Sequence, residues 1–211
     1  MEILEGLHAV RIADADGLDT EVYLLDCEEG VILVDVGFTP LCLENISREL
    51  KNMGREWGDV KMVIITHAHG DHILNLPRVK ELTDAEVVVG LGDEERLLER
   101  TGVKADVALD TGDIIGAFGN IEVIRVPGHS RGNLSLLLHK HRALIAGDTI
   151  FGDQEGNLEA PPEKYCEDVG EAARNLSTLL NYDFDALLLS HGANILSGAK
   201  ERVRALVDNC V

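Results

Sequence analysis

Apolar residues along this chain fall into short β-branched or aliphatic runs separated by polar and glycine-containing breaks. The runs at residues 22–25, 31–34, 60–65, 86–89, 121–126, 134–138, 143–146 and 186–189 are the right length for strands. Gly119-Asn120, between Ile115 and Ile121, has the composition of a hairpin turn. Residues 139–141 predict a second tight turn between two apolar strands.

Three segments change to helical spacing. Leu43, Ile46, Leu50 and Met53 share one face behind a Thr39 cap and Pro40, and Gly54 stops the helix. Val169, Ala172, Ala173, Leu176 and Leu180 follow the candidate cap Asp168, and Ala199, Val203, Leu206 and Val207 repeat the pattern near the end. A further helix is expected after His72, with Pro77 tolerated in its first turns. Strands outnumber helices, which predicts two packed sheets flanked by helices rather than a helix bundle. With 211 residues and no Pro/Gly/Ser linker, a single domain over 1–211 is predicted.

Charge and composition narrow the partners. The formal charge of −19 opposes binding to a phosphate backbone, so a small-molecule substrate is expected and nucleic acid is not. The apolar runs are too short to cross a bilayer, and Glu2 and Glu5 stand where a signal peptide would be positive. A cytoplasmic protein without membrane association is therefore predicted. Cys27, Cys42, Cys166 and Cys210 form no Cys-x-x-Cys pair and are expected as free thiols.

Chemistry concentrates in Thr66-His67-Ala68-His69-Gly70-Asp71-His72, directly after the apolar run ending at Ile65. Three imidazoles and a carboxylate so close together suit a borderline divalent ion: Zn²⁺ first, with iron or manganese as alternatives. The absence of thiolate argues against a closed structural zinc site. Other apolar runs also end in potential ligands: Pro127-Gly128 leads to His129, Gly147 to Asp148, and Ser190 to His191. Asp35, at the end of the run 31–34, is placed to orient a ligating imidazole through its free N–H. Asn133 is a hydrogen-bonding residue near the site or a strand cap. His8, His139 and His141 lack a ligand-like context and are expected at the surface.

These residues, in this order, resemble the metallo-β-lactamase superfamily, from Leu33-Val34-Asp35-Val36-Gly37 to His191-Gly192. The resemblance implies an α/β fold, a four-layer αββα sandwich of two mixed sheets flanked by helices. It also implies two metal ions, with His67, His69 and His129 on one, Asp71, His72 and His191 on the other, and Asp148 bridging both. A hydroxide between the metals is then the implied nucleophile, with Asp71 or Asp148 relaying the proton. The resemblance also makes Tyr165, beside Lys164, a candidate substrate contact.

Within the superfamily, Gly147-Asp148-Thr149-Ile150-Phe151 and Pro127-Gly128-His129-Ser130 are most similar to the short hydrolases related to glyoxalase II. The chain ends before that family's helical glutathione-binding region, so a smaller acyl thioester, an ester or a lactone is the expected substrate. The bridging Asp148 disfavours β-lactam hydrolysis, and His69, where flavodiiron proteins usually carry glutamate, disfavours oxygen reduction at two irons. Residues 69–77 also resemble tRNA 3′-processing nucleases, but no basic arm accompanies them. A mononuclear iron persulfide dioxygenase, a phosphodiesterase and a metal-binding protein without turnover are the competing readings.

Overall fold

A computed structural model describes residues 1–13 and 19–210 of the chain. The chain divides into two compact units, Met1–Val89 with Glu94–Ala108, and Gly90–Asp93 with Leu109–Val211. Among the described residues, no helix is long and apolar enough to cross a membrane.

The first unit begins with β1 (Glu2–Leu4), β2 (Leu7–Ala13), β3 (Asp19–Cys27) and β4 (Gly30–Val34), an antiparallel meander. Helix α1 (Pro40–Asn52) then crosses to β5 (Val60–Ile65), which pairs parallel with β4. A single turn α2 (Gly70–Ile73) and α3 (Leu76–Leu82) lead to β6 (Glu86–Gly90), parallel to β5; α4 (Glu94–Thr101) precedes β7 (Val107–Leu109). The sheet order is β1-β2-β3-β4-β5-β6-β7. All five residues of β4 are buried, and parallel strands covered on both faces read as unbroken apolar runs. Ile46 and Leu50 of α1 and Leu97 of α4 pack with Leu24, Leu33, Val63 and Val87 in the core of this unit.

The predicted Thr39 cap is in place: its backbone N–H reaches the Cys42 sulfur at 3.3 Å, and Pro40 occupies the first turn. The helix expected after His72 differs. The chain coils one turn earlier, so Asp71 and His72 lie within α2, and Pro77 sits in the first turn of α3, where its missing N–H costs no helical bond.

The second unit contains β8 (Ile114–Ile115), β9 (Ile121–Arg125), β10 (Leu134–Leu138) and β11 (Ala143–Ile145). A small ribbon of β12 (Phe151–Gly152) and β13 (Leu158–Glu159) follows, then α5 (Val169–Asn175), β14 (Ala186–Leu188) and α6 (Ala199–Cys210). The larger sheet has the order β14-β11-β10-β9-β8. The predicted β8–β9 hairpin turns through Gly119 and Asn120, both at positive φ, 72° and 73°. Asp168 caps α5 by accepting the Glu171 N–H at 2.8 Å, but the α-helical geometry ends at Asn175 and tightens to a 3₁₀ stretch over Leu176–Asn181. Val203, Leu206 and Val207 of α6 pack with Ile124, Leu144, Leu187 and Phe184 in a separate core.

Two histidine expectations need correction. His8 is half-buried, with Nδ1 2.7 Å from the carboxylate of Glu49, and His141 is half-buried and stacked on Phe118 at 5.1 Å between ring centres. Each ring has found a partner that its sequence neighbours do not announce. His139 is exposed, 3.0 Å from Glu122. All four cysteines are free.

Candidate metal centre

In the first unit, β5 delivers Thr66 and His67 from a fully buried strand end, and the chain turns immediately into α2. His67 and His72 are fully buried, while His69 and Asp71 are half-buried. The His67 ring lies 4.6 Å from that of His69 and 4.1 Å from that of His72. A neutral imidazole offers one ring-nitrogen lone pair to a cation, and three such rings are gathered here. Asp71 Oδ2 is 3.4 Å from His72 Nε2 and accepts a hydrogen bond from the buried Thr20 hydroxyl at 3.3 Å.

Asp35 lies beneath this turn. One of its oxygens accepts the Thr66 N–H at 2.8 Å; the other accepts the Thr66 hydroxyl at 2.8 Å and lies 2.8 Å from His72 Nδ1. That last contact fixes the His72 ring with Nε2 directed away from Asp35. Asp35 is only 1% exposed and has φ +63°, a conformation that L residues rarely adopt and that Asp tolerates better than most. Asn75 secures the other end of the turn, donating to the carbonyls of Val36 at 3.1 Å and Thr39 at 2.9 Å.

In the second unit, strand pairing assembles the ligands. β11 and β14 are parallel, with Ile145 opposite Leu188, and Asp148 and His191 each stand three residues beyond that pair. Both therefore emerge at the same sheet edge. β9 runs antiparallel to β10, which runs antiparallel to β11, so His129 leaves β9 at that edge too. Asp148 Oδ2 is 3.2 Å from His129 Nε2 and 3.5 Å from His191 Nε2, a carboxylate set between two imidazole nitrogens. The three are 3%, 1% and 8% exposed, in the same order. The Phe151 ring stacks on His191 at 4.9 Å and 9° between planes, limiting the imidazole's rotation.

Several buried groups hold these loops. A directed chain of hydrogen bonds runs from Asn133 Nδ2 to the Thr149 hydroxyl at 2.8 Å, on to Ser135 at 3.0 Å, and from Ser135 to the Ala146 carbonyl at 2.8 Å, bracketing Asp148. Asn133 Nδ2 also donates to the Val126 carbonyl, so it serves both the His129 and the Asp148 loops. Asp93, buried, accepts from the Ser130 hydroxyl at 2.7 Å and the Gly132 N–H at 2.9 Å, beside His129. Gly128, at φ +129°, lies so close to α5 that a Cβ would fall 2.2 Å from the Ala172 nitrogen. Burial pushes the Cys166 thiol above its usual pKa, and the carboxylates of Asp148, Asp168 and Glu163 push in the same direction. Tyr165 is 45% exposed, with the Lys164 ammonium 4.5 Å from its ring centre.

Thr20, Asp93, Arg96 and the ring of Phe151 escaped sequence reasoning. Each acts through a contact with a residue remote in the chain or through a loop whose path only the fold defines. Arg96 donates to His69 Nε2 at 3.4 Å.

The donor chemistry fits divalent ions. Imidazole nitrogen and carboxylate oxygen are the ligand types of borderline cations, and each of the seven residues His67, His69, Asp71, His72, His129, Asp148 and His191 belongs to a candidate metal-binding group.

Known proteins give the context. The chain is 28% identical over 139 residues to a hydroxyacylglutathione hydrolase of Francisella philomiragia, covering 65% of this chain and 50% of the relative. It is 26% identical over an alignment 231 positions long to a probable metallo-hydrolase, YflN, of Bacillus subtilis, covering 90% of this chain and 85% of that one. The chain spans between 50% and 59% of the length of the first two hydroxyacylglutathione hydrolases it matches. Among solved structures, a metallo-beta-lactamase family protein of Thermus thermophilus superposes with a TM-score of 0.79 at 20% identity, covering 99% of this chain and 80% of that one. This likeness shows the metallo-beta-lactamase fold, of which two large mixed sheets and their helices are the visible parts. A family model of the metallo-beta-lactamase superfamily matches residues 15–192, running through both units. The chain belongs to the metallo-beta-lactamase superfamily.

Proposed function

We propose that this protein is a dinuclear metal-dependent hydrolase of small acyl compounds, namely thioesters, esters or lactones, with zinc as the expected metal. In this reading His67, His69 and His129 hold one ion, Asp71, His72 and His191 the other, and Asp148 serves both. The observation that carries it is the buried Asp148 carboxylate, 3.2 and 3.5 Å from two imidazole nitrogens, since a carboxylate so placed is suited to neutralising charge between cations. Bound divalent ions would supply acidified water at neutral pH and a Lewis acid for the scissile carbonyl.

The chain's own residues do the rest. Asp35 orients His72, Thr20 holds Asp71, and Phe151 limits rotation of His191. Asp71, half-buried and itself one of the ligands in this reading, or Asp148 would carry a proton between the site and solvent. The names of the hydroxyacylglutathione hydrolase relatives support an acyl substrate, and the net charge of −19 weighs against a polyanion. We place its working partners among small molecules of the cytoplasm.

The test measures kcat/KM side by side on acyl thioesters, aryl esters, lactones, bis-p-nitrophenyl phosphate, pre-tRNA and a cephalosporin, with metal-replete protein. An acyl substrate should lead. Phosphodiester or pre-tRNA cleavage faster than every acyl substrate by tenfold, about 1.4 kcal/mol of transition-state preference, would overturn the reading.

A further inference from the structure

Within the first unit, the ligand turn borders a stretch of chain without charge. Charged side chains make up 27% of the sequence, yet residues 36–43 and 73–77 contain none. These two segments run together: the Asn75 N–H meets the Gly37 carbonyl at 3.2 Å, and its side-chain amide meets the Thr39 carbonyl at 2.9 Å. Each carries an apolar side chain that the core does not cover. Leu41, in the first turn of α1, is 48% exposed, and Leu74, which closes α2, is 52% exposed.

Leu74 reaches the ligand turn itself. It follows Gly70 by four residues, so the two share a face of α2, and its N–H closes onto the Gly70 carbonyl at 3.1 Å. A Cβ on Gly70 would meet Leu74 Cδ1 at 3.6 Å and Cγ at 3.7 Å, ordinary van der Waals contact. The isobutyl group therefore lies over the backbone between the candidate ligands His69 and Asp71, with its other side open to solvent.

We infer that Leu74 is a specificity-determining residue that contacts a linear alkyl chain on the acyl portion of the substrate, on the uncharged edge to which Leu41 also belongs. A substrate hydrolysed at this turn has its reacting end beside His69 and Asp71, and an alkyl chain on that end removes the remaining apolar surface of Leu74 from water. Each methylene fully buried is worth roughly fourfold in binding. Residues 36–43 and 73–77 offer no charged group to an ionised chain, which favours an apolar one. This inference rests on the acyl-hydrolase reading for its substrate class, but the binding site it assigns can be tested apart from turnover.

The experiment compares wild type, Leu74→Gln and Leu74→Met at equal measured metal content. Binding of hexanoate and of acetate is followed by calorimetry, and kcat/KM is measured on p-nitrophenyl hexanoate and p-nitrophenyl acetate, which share a leaving group. Wild type should favour the six-carbon chain at least tenfold in binding and in kcat/KM, the latter chiefly through KM. Leu74→Gln should lower both ratios at least fivefold, and Leu74→Met, which keeps an apolar side chain, should hold them within about twofold of wild type. No preference for the longer chain in wild type, ratios unchanged in Leu74→Gln, or a parallel fall on the two esters would overturn the assignment. If wild type hydrolyses neither ester, the acyl reading fails, and the ratio of hexanoate to acetate affinity still decides the role of Leu74.

Discussion

In the first unit four candidate ligands, His67, His69, Asp71 and His72, lie on one continuous turn between β5 and the end of α2. In the second, His129, Asp148 and His191 come from three separate loops that strand pairing brings to one sheet edge. The first set is thus encoded locally and supported from below by a single carboxylate, Asp35, whereas the second depends on register, on hydrogen bonds among Asn133, Thr149 and Ser135, and on an aromatic stack. The difference teaches that damage to the first set should act mainly through its ligands and the carboxylate beneath them, while the second can be weakened from several remote positions.

The sharpest way to break this comparison is Asp148→Ala. It should release at least one metal ion and lower turnover below about a hundredth of wild type, because two cations that share a carboxylate would be left repelling each other. Metal analysis alongside hydrolysis assays checks both effects. Unchanged metal content and activity would remove Asp148 from the centre of the account.

Asp35→Asn comes next. Asparagine also tolerates positive φ, so the backbone at +63° is preserved while the charge supporting His72 is lost. Metal affinity or activity should fall roughly 10 to 100-fold, measured by competition with a metallochromic chelator. A fall smaller than that of Phe151→Leu would reverse the expected dependence of the first unit on Asp35.

How legible these regions were follows from the same contrast. Residues 66–72 announce themselves because metal chemistry needs several donors together, and the strands carrying them read as apolar runs because both faces are covered. Strand β2 is hard to read from the sequence because the polar side chains of His8 and Arg11 interrupt it, and their partners Glu49, Asp19 and Glu21 lie elsewhere in the chain. Helix α4 was missed because it buries one residue, Leu97, and so leaves no stripe to detect. Asn133 was legible only as a residue that caps a strand or bonds near the site, and its service to both Val126 and Thr149 needs the fold to be seen. Phe151 was visible as part of a motif, but its stack on His191 depends on contact between loops distant in sequence.

Phe151→Leu sharpens the second half of the comparison. Losing the stack on His191 should weaken metal binding or activity by up to about tenfold, from about 0.5–1.5 kcal/mol of aromatic contact. Metal titration of the variant measures the change, and retention of wild-type affinity would show that the loops alone hold His191.

The smallest functional effect is expected from Glu49→Gln, a change remote from the ligands within the first unit. Burial raises the Glu49 pKa, but hydrogen bonds from His8, the N-terminal ammonium and Asn52 outweigh it and hold the carboxyl down from 4.5 to about 2. A carboxylate depressed in the folded state stabilises fully above its unfolded pKa, near 4.5, and loses that contribution as pH falls towards 2. The variant should lose about 1–2 kcal/mol at pH 7, converge with wild type near pH 2, and keep its metal content. Denaturant melts at the two pH values and elemental analysis check this; metal loss would mean that the first unit is not locally self-sufficient.

The most direct measurement of the central claim is the number of metal ions per chain in protein purified without chelator and then titrated with zinc, iron and manganese. The account predicts saturation at about two, because seven candidate ligands exceed the need of one tetrahedral site. Saturation near one, unmoved by further metal, would contradict the dinuclear centre and favour single-iron chemistry.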